Sequence, residues 1–109
     1  MSDSVELHFL DEHTLVPFTD LIGASGLAME QLVELVEYGV FEPADASERS
    51  LLPVQWRVSS QSIFVARRAA RLQLDFGLDT AGIALALSLL ERIDDLERRL
   101  HDLQCHLPR

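Results

Sequence analysis

The stretch AMEQLVELVEYGVFEP, Ala28 to Pro43, constrains this chain more than any other, because it carries a helix, its stop signal and its exit. Met29, Leu32, Val33 and Val36 recur at the i, i+3, i+4, i+7 spacing of one helical face. Gly39 is placed to end that helix in the left-handed conformation, and Pro43 forbids its resumption. Upstream, Phe18 to Ala24 suits a short helix, with Thr19 and Asp20 favourable near its start, and Ser25-Gly26 suits a turn. Two helices joined by so short a turn make a helix-turn-helix. On the second helix, however, Glu30, Glu34 and Glu37 form a carboxylate stripe where a reader of DNA would carry arginine or lysine.

Charge sharpens that conflict. The net charge is −9, and it is unevenly placed: residues 1–58 hold eleven acids against Arg49 and Arg57, whereas residues 59–109 hold seven acids and seven arginines. The half with the helix-turn-helix therefore repels phosphate backbones and attracts basic protein surfaces. All nine basic residues are arginine. A P-loop lysine and a Schiff-base lysine are thereby excluded, and no G-x-G-x-x-G, G-x-S-x-G or H-E-x-x-H occurs. The expectation is a protein without catalytic residues and without a cofactor.

The 109 residues suit one domain, 1–109, and 48% apolar with 25% charged residues is an ordinary balance for a soluble fold. Cys105 is the sole cysteine, no signal-peptide pattern follows Met1, and no apolar run reaches the roughly 18 residues that a membrane span needs. A cytoplasmic protein with no membrane association is expected.

Along the chain, Val5, Leu7 and Phe9 alternate with Glu6 and His8, which predicts a short strand over 5–10. Residues 44–53 have the Ala, Ser and Pro content of a loop. Val54, Trp56 and Val58 then alternate as a second strand, with Trp56 expected in the core between strand and helices. Ser59 or Ser60 can cap a helix running to about Phe76, which Gly77 ends. Two adjacent sides of that helix are apolar, so it is expected to be central, leaving only Arg67, Arg68, Arg71 and Asp75 to solvent. Asp79 can cap a last helix from 79 to 107. Along it Leu89, Ile93, Leu96, Leu100, Leu103 and Leu107 are spaced 4, 3, 4, 3, 4, a heptad stripe that calls for a partner. A homodimer through Leu89, Ile93, Leu96, Leu100 and Leu103 is expected, or failing that a fold-back onto the domain.

Metal signals are weak. His8 and His13 flank a turn, and His101 and Cys105 share a helical face one turn apart, but two ligands do not close a zinc site. No metal is expected.

The order of parts resembles the MerR transcription regulators: mainly α, a winged helix-turn-helix domain with short β-strands and a long C-terminal dimerisation helix. In that superfamily the second helix enters the major groove and the trailing helix pairs two subunits as an antiparallel coiled coil. More closely, LVELVEYGVFEP (32–43), Trp56, and the run from Ala66 to Leu100 with its LDTAGIALAL joint at 78–87 resemble the CbpM family of chaperone modulatory proteins. The resemblance implies a cytoplasmic regulator that binds the J-domain of CbpA, a DnaJ-like co-chaperone, and inhibits its work with the DnaK chaperone.

J-domains present a basic helical surface to DnaK, and an acidic half-domain suits competition for it. The acids with the required sign and exposure are Glu30, Glu34 and Glu37, with Asp20 and Glu42 nearby; otherwise they merely solubilise the domain. A MerR-type DNA binder is the alternative, and it would have to use Arg57, Arg67, Arg68 and Arg71. A plain adaptor for some other basic protein is a third reading.

Overall fold

A computed structural model describes residues 14–106, the side chain of Ala46 excepted. The strand expected over 5–10, both early histidines and Leu107 lie outside the described residues. Within them the order is β1 (Leu15–Pro17), α1 (Asp20–Ser25), α2 (Met29–Glu37), two short 3-10 turns (Ala46–Ser50 and Pro53–Gln55), β2 (Arg57–Ser59), α3 (Gln61–Phe76) and α4 (Thr80–Cys105). This is the mainly helical, helix-turn-helix architecture that the sequence predicts, with a two-stranded sheet and a long last helix.

The sheet differs in detail from expectation. β1 has no counterpart among the predicted strands; it pairs antiparallel with β2, Val16 opposite Val58. The strand predicted through Val54 and Trp56 begins only at Arg57. Pro53 opens a 3-10 turn instead, and the Gln55 side chain accepts the Leu52 N–H at 3.2 Å, closing that turn. Trp56 sits in the core as expected. Its ring meets Phe18 edge to face at 5.3 Å between centroids, its indole N–H donates to the Leu51 carbonyl at 3.2 Å, and its own carbonyl accepts the Phe18 N–H at 2.8 Å.

The helix-turn-helix is closed by its own backbone. Gly26 adopts φ 78° and donates to the Ile22 carbonyl, and the Ser25 hydroxyl oxygen accepts the Leu27 N–H at 3.1 Å. α2 starts where the Gln31 side chain accepts the Ala28 N–H at 3.1 Å. It stops in a Schellman arrangement around Gly39, φ 83°: Gly39 N–H donates to the Val36 carbonyl and Val40 N–H to the Leu35 carbonyl, both at 2.9 Å. Leu32, Leu35 and Val36 are buried, with Met29 and Val33 half-buried beside them. Their neighbours in the core include Phe18, Leu21, Phe41, Val58, Ala66, Ala69 and Ile83.

α3 is less enclosed than its sequence predicts. Only Ala66 and Ala69 are fully buried, against α1, whereas Leu74 and Phe76 are 81% and 71% exposed. Two apolar sides existed, but the domain supplies a packing surface for one. Ser60 takes the N-cap place without a capping bond from its side chain; the Ser59 hydroxyl accepts the Gln61 N–H instead. Asp79 caps α4 as expected, accepting the Gly82 N–H at 2.8 Å. The first third of α4 packs on α2 and α3. Beyond it the helix projects, and among the described residues no single helix is long and apolar enough to cross a membrane.

Candidate functional site

Glu30, Glu34 and Glu37 lie four and three residues apart on α2, so they form one stripe, and all three are exposed. The flank opposite is the buried Leu32–Leu35–Val36 face, which holds the stripe outward. Glu34 has a second attachment: its Oε2 accepts a hydrogen bond from the Thr80 hydroxyl at 2.8 Å. Thr80 is the first residue of α4, so this carboxylate also lies at the positive end of a helix. Asp20 is exposed in the first turn of α1, and Glu42 is exposed between buried Phe41 and Pro43. These two stand on other segments than the stripe.

Of the four arginines that a DNA reading requires, Arg57 is closely paired with an acid, Arg68 and Arg71 have acids at longer range, and Arg67 is exposed. Arg57 places Nε and a terminal nitrogen each 2.8 Å from Glu48 Oε1, while its backbone N–H donates to Glu48 Oε2 at 3.2 Å. Glu48 is only 6% exposed. Arg68 pairs with Asp94 of α4 at 3.7 Å, and Arg71 with Asp75 at 3.8 Å. Arg67, Arg68 and Arg71 are all exposed, and two of them, Arg68 and Arg71, have a counter-charge nearby. Asp45 caps the first 3-10 turn, and the bond from the Ser47 N–H, 3.0 Å, holds its carboxyl below the ordinary aspartate value.

Sequence reasoning missed a cleft of about 490 Å³ where α2, α3 and α4 meet. Tyr38 and Val40 line it from the exit of α2, Val65 and Arg68 from α3, and Leu87 and Glu91 from α4. The only signal in the sequence was an aromatic residue, Tyr38, directly before the stop glycine.

Along α4 the expected stripe is uncovered. Exposure runs from 48% at Leu96 to 65% at Leu103, with Leu89, Ile93 and Leu100 between, and Leu85 extends the row one turn toward the domain. The stripe does not fold back. Among the described residues no three His, Cys, Asp or Glu side chains converge as metal ligands; His101 Nε2 and Cys105 Sγ approach to 3.6 Å near the end of α4.

Comparison with known proteins agrees with the helix-turn-helix fold. The family model described as MerR HTH family regulatory protein matches residues 16–105. Chaperone modulatory protein CbpM of Pseudomonas putida (strain W619) is 34% identical over 87 residues, covering 80% of this chain and 75% of the relative. CbpM of Coxiella burnetii (strain Dugway 5J108-111) is 34% identical over 85 residues, 78% of this chain and 76% of the relative. CbpM of Escherichia coli O1:K1 / APEC is 34% identical over 85 residues, 78% and 79% of the two chains.

Proposed function

The chain belongs to the MerR HTH regulatory family, among the chaperone modulatory proteins CbpM, and from that premise we propose that it restrains a J-domain protein by covering its basic helix. The partner in this reading is the J-domain of a CbpA-like DnaJ homologue, and the consequence is loss of DnaK stimulation. The protein is a regulator without catalytic residues, works in the cytoplasm, and acts as a homodimer through Leu89, Ile93, Leu96, Leu100 and Leu103.

One observation carries the reading. The helix at the recognition position of a helix-turn-helix presents Glu30, Glu34 and Glu37 to solvent, while of the four arginines a DNA reading needs Arg57 is held by Glu48, and Arg68 and Arg71 have acids 3.7 and 3.8 Å away. That pattern removes the contacts that fix a protein on phosphates and supplies those that attract a cationic helix. Asp20 and Glu42 extend the negative field around it.

Glu34 is a poor residue for testing this, since its carboxylate also holds Thr80. Reversing Glu30 and Glu37 leaves that bond intact. Glu30→Arg with Glu37→Arg is expected to weaken J-domain binding about tenfold at low salt, and far less at high salt, where exposed charges are screened. Unchanged affinity at low salt would remove the stripe from the interface. Retarded migration of duplex DNA by the unmodified protein at low salt would favour the DNA reading instead.

A further inference from the structure

The cleft between α2, α3 and α4 begins where the acidic stripe ends, since Tyr38 follows Glu37 directly. We propose that it is the second half of the docking surface, taking a large apolar side chain from a basic amphipathic helix, with Tyr38 as its wall. This rests on the reading above and adds the contact that gives the interface its specificity.

Size and chemistry set the occupant. About 490 Å³ holds one or two large side chains of a helix laid across the opening. Val40, Val65 and Leu87, half-buried, make an apolar floor, and Tyr38 is 55% exposed above it. Aromatic side chains beside a desolvated pocket are the typical anchors of protein interfaces. Tyr38 is also fixed in place, because the Schellman turn at Gly39 closes immediately after it. Little freedom of its backbone is left to lose on binding.

Charge selects a cationic helix. Of the ionisable groups lining the cleft, Arg68 and Asp94 compensate each other at 3.7 Å, and Glu91 is exposed. With Glu37 at the neighbouring end of α2, the remaining charge is negative. A Lys or Arg flanking the inserted side chain would meet Glu91 on one side and the α2 stripe on the other.

A second copy of the chain is the other conceivable occupant, but the face of α4 argues against it. At about 100° per residue, Ala84, Leu87, Ser88 and Glu91 lie roughly 155° around the helix from the Leu89–Ile93–Leu96 row. A dimer built on that row leaves the cleft open.

The test uses the full chain and titration calorimetry against a CbpA-like J-domain. Tyr38→Ala removes the wall at an exposed position, and Ser88→Lys pushes a long cationic side chain from exposed α4 into the opening. Each is expected to weaken binding by about tenfold or more. The Tyr38→Ala loss should persist at 0.5 M salt (roughly 4 Å screening), unlike that of the Glu30/Glu37 reversal. Melting temperature and sedimenting mass should stay those of the unmodified protein. If both variants bind within twofold of it, the cleft is not a contact and the function proposed above still stands. If either lowers the sedimenting mass, a second copy occupies the cleft and the inference is overturned. Failure of the unmodified protein to bind any CbpA-like J-domain would remove both.

Discussion

Glu34 and Thr80, 46 residues apart, join the middle of α2 to the first turn of α4 through one 2.8 Å hydrogen bond. The residue with the right sign for an interface is therefore also a bracket between two helices. Glu34→Ala and Thr80→Val are each expected to cost about 1 kcal/mol in urea unfolding, the usual worth of a charge-assisted bond near the surface. The double variant should cost little more than either single one, with a coupling of roughly 0.5–1 kcal/mol. Full additivity would mean that the bond contributes nothing to stability.

Glu48 and Arg57 predict an asymmetry. The carboxylate is buried, whereas the Arg57 side chain is 57% exposed. Removing the arginine strands a buried charge; neutralising the acid releases a guanidinium to water. Arg57→Ala is expected to cost about 2 kcal/mol, discounted from a fully buried pair for that exposure, and Glu48→Gln about 1 kcal/mol less. Equal losses in chemical denaturation would show that Glu48 is better hydrated than its burial implies.

These two pairs also mark what the sequence could carry. Spacing of four and three made α2 and its glutamate stripe legible, and the Asp79 cap was readable because its acceptor and donor lie three residues apart. Glu34–Thr80 and Glu48–Arg57 join separate segments, which no periodicity reports. β1 leaves no periodic trace, because three residues, one of them Pro17, are too few to show alternation. Periodicity likewise placed Leu74 and Phe76 on apolar sides of α3, but not whether the domain has anything to lay against them. The cleft depends on where three helices cross, so only Tyr38 hinted at it.

Acid should weaken the loop before β2. The Ser47 N–H stabilises the ionised Asp45, so its folded pKa lies below the unfolded one. A carboxyl so shifted contributes stability that is complete above the unfolded value, near pH 4, and is lost as pH falls through the lowered folded value. In carbon-detected NMR the Asp45 carboxyl should titrate below an unstructured aspartate, and Asp45→Asn should abolish this part of the acid sensitivity. A midpoint at or above the unstructured value would contradict the cap.

The α4 row predicts both association and its direction. Burying the exposed half of a leucine contributes roughly 1 kcal/mol, so five residues on each of two copies give on the order of 10 kcal/mol. Against the lowest cost of association, about 4 kcal/mol, that leaves at most about 6 kcal/mol, a dimer that forms at tens of micromolar or above. In an antiparallel pair centred near Asp94, Leu89 of one copy meets Leu100 of the other. Leu89→Glu alone and Leu100→Arg alone should each yield a monomeric mass in sedimentation. The double variant should recover the dimer, because each glutamate then faces an arginine; three helical turns separate the two positions within one chain. In a parallel pair like charges would meet at both positions, and a doubly substituted protein that stays monomeric would exclude the antiparallel arrangement.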